Sequence, residues 1–468
     1  MSDKSDSRQV VIDRMKVAGI SDHCIKVFLH YLNKLDQEGS FLMPEATIEP
    51  VSSLPSLKDL QSFKEVGVEA MGEVLSIKLN GGLGTSMGLS SAKSLIEVKD
   101  GLCFLDLIAR QVLHERKVFQ AEIPLIFMNS FYTDHDTLSF LKLNYPDLLS
   151  GSKLPGSFIQ NKVPRLDVQT MCPVSWPDNP ELEWCPPGHG DIYPAIWERG
   201  IVQKALDLGI RYLFVSNSDN LGAVLCPELL GYLKSKRLPF MMEVARRTVS
   251  DRKGGHLAKS KAGQLLLRER AQCPAGELDL FEDIERHSYF NTNSVWINLE
   301  YLLDLLEKQG GMLDLPLIRN SKNVDPDNPN SPNVYQLETA MGAAIGVFDG
   351  AAAVEVPRDR FLPVKTTSDL LSLWSNRYQL VDGCYLQRSD KCTTEQIDVI
   401  LDPAYFQSFS QFKERFPSGA PLLRDCSELK VKGNVYFGKD IECVGKVVIE
   451  NEENEPMQLS DNTFLKSN

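Results

Sequence analysis

From Glu73 onward the chain alternates short apolar runs with amphipathic segments: EVLSIKL, FLDLIARQVL, IPLIFMNS, TLSFLKL, and farther on RYLFVSN and FMMEVARR. That alternation is the signature of βαβ units around a mostly parallel sheet. Ligands of such sheets sit in the crevice at the carboxyl ends of the strands. The polar residues directly after the runs are therefore the ones to inspect: Asn80, Asn129, Asn217 and Asp219.

At 468 residues the chain exceeds the size at which one core stops growing, so two or three units are expected. Residues 8 to 37 show helical periodicity, with Ile25, Phe28, Leu29, Leu32 and Leu35 on one face and Ser21 or Asp22 placed to cap the second segment. Prolines 44, 50 and 55 mark the linker that follows. The Pro/Asn/Asp cluster at 321–333 reads as a long surface loop, after which YQLETAMGAAIGVF resumes a helical pattern. Beyond Gly383, short β-branched runs punctuated by Gly433, Gly438 and Gly445 suggest a small β-solenoid. The expected partition is a helical extension and linker over 1–70, a catalytic unit over 71–383 and a β-rich unit over 384–468.

The net charge of −13 argues against a nucleic-acid surface, which needs clustered Lys and Arg. An acidic chain that binds a polyanionic small molecule must instead gather cations, metal and backbone N–H groups in one cleft. No apolar run is long enough to span a bilayer and MSDKSDSRQVV lacks an apolar signal core, so a cytoplasmic chain without membrane contact is expected. The ten cysteines form no CxxC and read as buried thiols in a reducing compartment.

The stretch KLNGGLGTSMGLSSAK follows the first apolar run. It lacks the GxGxxG spacing of a dinucleotide fold, and Lys93 is too far from the first glycine for a Walker A loop. Read alone it is either a plain turn or a phosphate cradle. Glycines without Cβ let N–H groups approach phosphate oxygens, and a lysine at the far end adds a point charge, which suits a triphosphate. In PPGHGDIY, His189 is either structural or held against a ligand by its flanking glycines; in FVSNSDN, Asp219 ends a strand and either caps a turn or holds Mg2+ with substrate phosphates. Lys365 in VKTTSD precedes a helix start, and with Lys93 it is a candidate for neutralising a triphosphate.

Together LNGGLGTSMG with its trailing Lys93, PPGHGDIY, FVSNSDNLGA, FNTNSVW, QLETAMGAAI and RFLPVKTTSDLL resemble the eukaryotic-type UTP–glucose-1-phosphate uridylyltransferases, or UDP-glucose pyrophosphorylases. Six ordered motifs are far more specific than one loop. The resemblance implies an α/β fold: a Rossmann-like nucleotide-diphospho-sugar transferase domain, an N-terminal helical extension and a C-terminal left-handed β-helix. It implies conversion of UTP and glucose 1-phosphate to UDP-glucose and pyrophosphate, with Mg2+. By position, it assigns Leu79, Asn80, Gly81 and Gly82 to uracil, ribose and phosphates, Lys93 to the triphosphate, and Gln160 and Gly188 to the uracil edge. It assigns His189 and Asn293 to the sugar or its phosphate, Asn217, Ser218 and Asp219 to the ribose and metal, and Lys365 to the phosphates of both substrates.

The chain departs from the family pattern at one point. Many members place Gly-Pro before the first-motif lysine, where this chain has Ser91-Ala92, which frees the loop backbone and adds an N–H donor. No serine–histidine–acid set argues for a covalent intermediate, so direct in-line attack is expected, with Lys365 and Lys93 as the catalytic cations. Two alternatives stand beside this reading. One is broad or N-acetylhexosamine 1-phosphate specificity, whose enzymes usually show arginine where this chain has Ser86; the other is a nucleotide-sugar-binding regulator without turnover. The exposed strand edge of the β-rich unit offers a route to a homo-oligomer.

Overall fold

The computed structural model describes residues 2–35, 41–89, 91–149, 152–453 and 455–466. Positions 36 and 37 of the N-terminal helical stretch, Ser90 of the glycine loop and the Ser86 side chain lie outside the described residues.

The N-terminal pattern folds as two helices, α1 (Ser2–Val17) and α2 (Asp22–Leu35). Ser21 caps the second, its Oγ accepting the Cys24 N–H at 3.1 Å. The apolar stripe of α2, including Ile25, Phe28 and Leu32, is buried with Val11 and Met15 against Val163, Leu317 and Leu337. It closes over the backs of Pro187, Gly190 and Asp191. The extension thus braces the segment that carries His189.

The central sheet is built on strands β1 (Ile48–Pro50), β2 (Val74–Asn80), β3 (Leu125–Asn129), β4 (Ser157–Ile159), β5 (Tyr212–Asn217), β6 (Phe240–Arg246), β7 (His256–Ser260), β8 (Leu265–Arg268), β9 (Tyr289–Asn298) and β10 (Ala352–Glu355), so the segment expected as a linker contributes a strand to it. They form one ten-stranded sheet with the path β1-β7-β9-β5-β2-β3-β4, to which β6, β8 and β10 attach. The run β5-β2-β3-β4 is parallel, as is β6 with β10, whereas β9 enters antiparallel to β5 and β6. Helix α3 (Phe104–Phe119) connects β2 to β3, and helix α4 (Asp134–Asn144) connects β3 to β4. Leu75, Ile77, Ile126 and Met128 pack on one face with Ile192 and Ile196, while Phe127 packs on the other with Leu105, Ile108 and Val112 of α3. Each fully buried side chain of this size contributes about 1.5–3 kcal/mol. The parallel run therefore holds the strand ends rigidly in line.

The segment expected to be a loop and then a helix folds otherwise. Leu317–Asn323 and Asn333–Thr339 pair antiparallel across a shortened loop, and only Met341–Gly346 winds, as a 3-10 turn. Pairing with the neighbouring strand, and the Thr339 N–H donated to Pro187 O at 2.9 Å, override the local helical preference of YQLET.

A hairpin of Tyr378–Val381 and Tyr385–Arg388 turns at Gly383. Beyond it, β11 (Asp398–Leu401), β12 (Cys426–Lys432), β13 (Glu442–Glu450) and β14 (Phe464–Lys466) stack in an all-parallel sheet, beside a second parallel pair, Val435–Phe437 and Met457–Leu459. Apolar side chains line up through the stack: Val399, Leu429 and Val447 are in register, as are Leu401, Val431 and Ile449. Gly433 turns one corner with φ +82°, where a Cβ would lie 2.0 Å from Asn451 O. This stack shares a core with α3 and with Leu370 and Leu371 beyond Lys365. All ten cysteines are free and eight are buried. No helix among the described residues is long and apolar enough to cross a membrane.

Candidate active site

The carboxyl ends of β2, β3 and β5 lie side by side, with Asn80 opposite Asn129 and Asn217 opposite Leu79. The Asn80 side chain is buried and donates to Asn129 Oδ1 and Thr137 Oγ1, both at 2.8 Å, while its backbone carbonyl accepts from Thr133 Oγ1 at 2.7 Å. Asn129 in turn donates to Asp134 Oδ1 at 2.8 Å. These two asparagines therefore lock the start of α4 to the strand ends and leave the backbone beyond Asn80 to face the crevice. Leu79 belongs to the same frame, its carbonyl accepting the Ser218 N–H at 3.0 Å.

The glycine loop returns on itself as a narrow ribbon. Lys93 N–H donates to Gly82 O at 3.2 Å and Leu83 bridges Ala92, which brings Lys93 back to the strand ends. A Cβ on Gly82 would meet nothing within 4 Å, so its exposed backbone is accessible. At Gly81 a Cβ would lie 2.9 Å from Gln160 Nε2, so the glutamine side chain lies against that glycine. The Ala92 N–H, which a proline would lack, meets only Asp136 Oδ2 at a long 3.4 Å.

Lys93 Nζ pairs with Asp219 Oδ2 at 2.6 Å in a largely buried contact. The other carboxylate oxygen, Asp219 Oδ1, is buried without a hydrogen-bond partner. Among the described residues no group of three or more His, Cys, Asp and Glu side chains is arranged to hold a metal. Val364 N–H donates to Asp219 O at 3.2 Å, which fixes the segment carrying Lys365 beside this turn. The next turn is capped by Asp369, whose Oδ2 accepts the N–H groups of Lys365 and Thr366 at 2.8 Å. Burial pushes the Glu269 carboxyl up to about 6, against the nearby charge of Lys365.

Beneath these loops is a buried charge network. Arg360 binds Glu243 bidentately at 2.7 and 2.8 Å, and Trp296 Nε1 donates to the same carboxylate at 2.8 Å. Lys78 Nζ donates to Ser216 Oγ at 2.8 Å and Ala223 O at 2.7 Å, its pKa pushed down to about 8 by burial. Nothing local in the sequence marks Arg360 and Glu243 as partners, since 117 residues separate them.

His189 and Asn293 form the opposite wall. Gly188, with φ +81°, lies so close to Thr339 that a Cβ would sit 2.5 Å from its carbonyl oxygen, and a Cβ on Gly190 would be 2.3 Å from Thr339 Oγ1. The two glycines thus seat the turn against the strand Asn333–Thr339, rather than simply exposing the histidine. His189 Nδ1 accepts the Met341 N–H at 2.9 Å, which places the ring proton on Nε2. Burial lowers the imidazole pKa to about 4, so the ring is a neutral donor at neutral pH. Asn293 Nδ2 stands 3.5 Å from His189 Nε2.

Asn293 reaches this position through a β-bulge. The β6–β9 register shifts between Glu243, opposite Ser294, and Val244, opposite Asn291, and Asn293 takes φ +59°. Because Val295 pairs with Val215, the bulge falls beside Asn217 at the same end of the sheet. Asp191 completes the frame: it accepts the Asn161 N–H and Nδ2–H, both at 2.8 Å, and so ties the Gln160 segment to the His189 turn. Burial pushes the Asp191 carboxyl up to about 7, against the bonds from Asn161. Asp191 was visible in HGD as a residue, but its partner is set only by the fold.

The arrangement gathers exposed glycine backbone, Lys93, a half-satisfied carboxylate and two side-chain donors around one crevice, which suits a polyphosphate and a second oxygen-rich ligand. The family profile described as UTP–glucose-1-phosphate uridylyltransferase matches residues 23–443. The enzyme of that name from Musa acuminata is 36% identical over 426 residues, covering 90% of this chain and 87% of that protein. Its namesake from Saccharomyces cerevisiae is 38% identical over 411 residues, covering 87% and 80%. A crystal structure of a mutant UDP-glucose pyrophosphorylase from Leishmania major in complex with UDP-glucose superposes with a TM-score of 0.92, 42% identity and 99% and 98% coverage. The likeness runs through sequence and fold alike, and the chain belongs to the UTP–glucose-1-phosphate uridylyltransferase family.

Proposed function

We propose that this chain joins UTP and glucose 1-phosphate to give UDP-glucose and pyrophosphate by direct in-line, Mg2+-assisted uridylyl transfer. The observation that carries the reading is the convergence of the glycine ribbon, the Lys93–Asp219 pair and the Lys365 segment at the ends of parallel strands. In this reading the backbone from Leu79 to Gly82 lies along uracil, ribose and phosphates, Gln160 and Gly188 read the uracil edge, and Asn217 and Ser218 meet the ribose. His189 Nε2–H and Asn293 hold the sugar or its phosphate.

A phosphate oxygen of glucose 1-phosphate attacks the α-phosphorus of UTP. The new P–O bond forms as the bond to the β-phosphate bridge breaks, and pyrophosphate leaves with that electron pair. No protein nucleophile takes part; positioning and charge stabilisation carry the catalysis. Lys93 takes the triphosphate and Lys365 bridges the phosphates of both substrates. Asp219 fits a metal ligand because its Oδ1 is buried and unpartnered, and one carboxylate plus phosphate oxygens is the usual protein share of Mg2+ coordination. Bound there, Mg2+ would neutralise phosphate charge.

Two finer readings accompany this. A cytoplasmic catalytic unit is flanked by the helical extension and, beyond residue 383, by a left-handed β-helix, with the linker strand β1 (Ile48–Pro50) joining the catalytic sheet, and the β-helix edge at β14 is the surface for self-association. The parallel stack and its glycine corner support the helix reading.

Pyrophosphate release is measured with UTP and glucose, galactose or N-acetylglucosamine 1-phosphate, across a Mg2+ titration. Glucose 1-phosphate is expected to be preferred, and Lys365→Ala to lower kcat about a hundredfold, as loss of a transition-state charge partner does. Asp219→Asn should raise the Mg2+ requirement. Turnover by Lys365→Ala near that of the wild type would overturn the mechanism, and no pyrophosphate release with any sugar would leave the regulator.

A further inference from the structure

The motif FVSNSDNLGA contains more than Asn217, Ser218 and Asp219 require, and the surplus residues have a common geometry. Asn220 is 2% exposed and makes three side-chain hydrogen bonds. Its Oδ1 accepts the N–H of Leu362 at 2.8 Å and of Gly222 at 3.2 Å, and its Nδ2 donates to Arg360 O at 3.2 Å. Asn220 also bridges Pro363 through the backbone. A single side chain therefore grips both ends of the stretch 360–362, which ends three residues before Lys365, from the residue immediately after Asp219.

The surroundings leave this grip little freedom. At Gly222 a Cβ would lie 2.3 Å from Asp359 O and 2.8 Å from the Arg360 carbonyl carbon, so the two backbones are in direct contact. Arg360 Nη2 donates to Val224 O at 2.8 Å while its guanidinium is fixed on Glu243. Val364 N–H reaches Asp219 O from the other side. Residues 219–224 and 359–364 are thus closed together along their whole length, and the amide of Asn220 is the side-chain link that stands next to the backbone bond from Val364 to Asp219.

The geometry points to Asn220 as a positioning residue that sets the register between the Asp219 turn and Lys365. It touches no substrate itself. An asparagine suits the role because its amide presents an acceptor oxygen to two N–H groups and, from a separate atom, a donor to a carbonyl. The inference rests on the proposed roles of Asp219 and Lys365. Displacement of a reacting group by about 1 Å can cost about a hundredfold in rate, so loss of register should appear in kcat.

The test is a double-mutant cycle on pyrophosphate release with UTP, glucose 1-phosphate and Mg2+. Asn220→Ala is expected to lower kcat at least tenfold with KM for glucose 1-phosphate changed less than about threefold. On a Lys365→Ala background the same substitution should cost no more than about twofold, because register matters only while Lys365 is present. Asn220→Asp, which keeps the acceptor and loses the donor to Arg360, should fall between wild type and Asn220→Ala, and it replaces Asn220→Ala in the cycle if that variant does not fold. Wild-type turnover by Asn220→Ala, or losses that multiply fully in the double variant, would overturn the inference. Wild-type turnover by Lys365→Ala would instead overturn the reading beneath it.

Discussion

Asn293 is a polar residue in the left-handed region inside a strand, and its replacements should separate stability from activity. Asn293→Ala and Asn293→Gly lose the same side-chain contacts: the 3.2 Å bond from Asn291 Nδ2 to Asn293 Oδ1 and the approach to His189. The Asn293 N–H bond to Asn291 Oδ1 at 2.9 Å is a backbone contact that both retain. They differ in the cost of φ +59°, which is about 1–2 kcal/mol for a residue with a Cβ and absent for glycine. In an ordinary strand glycine is the less stable of the two by roughly 0.5–1 kcal/mol, so the expected order is reversed here. Thermal melting at one scan rate should place Asn293→Gly above Asn293→Ala by about 1–2 °C, for a net difference of about 1 kcal/mol at roughly 1–2 °C per kcal/mol in a chain of this size. Both should lose sugar 1-phosphate turnover to the same degree, because both remove the amide. An alanine variant as stable as the glycine variant would refute the argument that strain at the bulge aims this side chain.

Glu243→Gln leaves the Arg360 charge buried without its counter-ion and should destabilise the chain by about 3–5 kcal/mol, read by urea unfolding; an effect under 1 kcal/mol would refute the account of the pair. The His189 imidazole has a folded pKa of about 4, below its ordinary 6.5, so it contributes stability that is full above pH 6.5 and is lost as pH falls towards 4. Asp191, raised from 3.8 to about 7, has the opposite sign: its contribution is full below pH 3.8 and is lost as pH rises through 7. His189→Gln removes the first contribution alone, so its stability relative to wild type should improve by about 3 kcal/mol between pH 6.5 and 4, and parallel profiles would refute this. Ala92 already has φ −55° and its N–H makes only the 3.4 Å contact. Ala92→Pro should therefore change stability by less than about 1 kcal/mol and keep turnover, measured by melting and pyrophosphate release.

The parallel strands and the glycine and Asp219 loops at their ends could be read directly from the chain, because each depends on residues close together in sequence. An apolar run that must be buried, a glycine that must turn and a lysine a few residues later carry their meaning locally. That is why the Lys93 and Asp219 loops each stand out by themselves, while their contact is set by the fold. YQLETAMGAAIGVF shows the limit: its pattern favours a helix, and pairing across the preceding loop makes its first five residues, Tyr335 to Thr339, a strand.

What the order of residues could not contain was the relation between distant positions. The pairing of Arg360 with Glu243, the link from Asn161 to Asp191, the tautomer of His189 set by the Met341 N–H, and the turn of Asn293 into the crevice depend on strand register and on which backbone approaches which. Local chemistry selected the residue types from sequence alone, whereas their distances, their protonation and the side from which they face the crevice arise only once the sheet is assembled, since those are properties of pairs of residues and not of single ones.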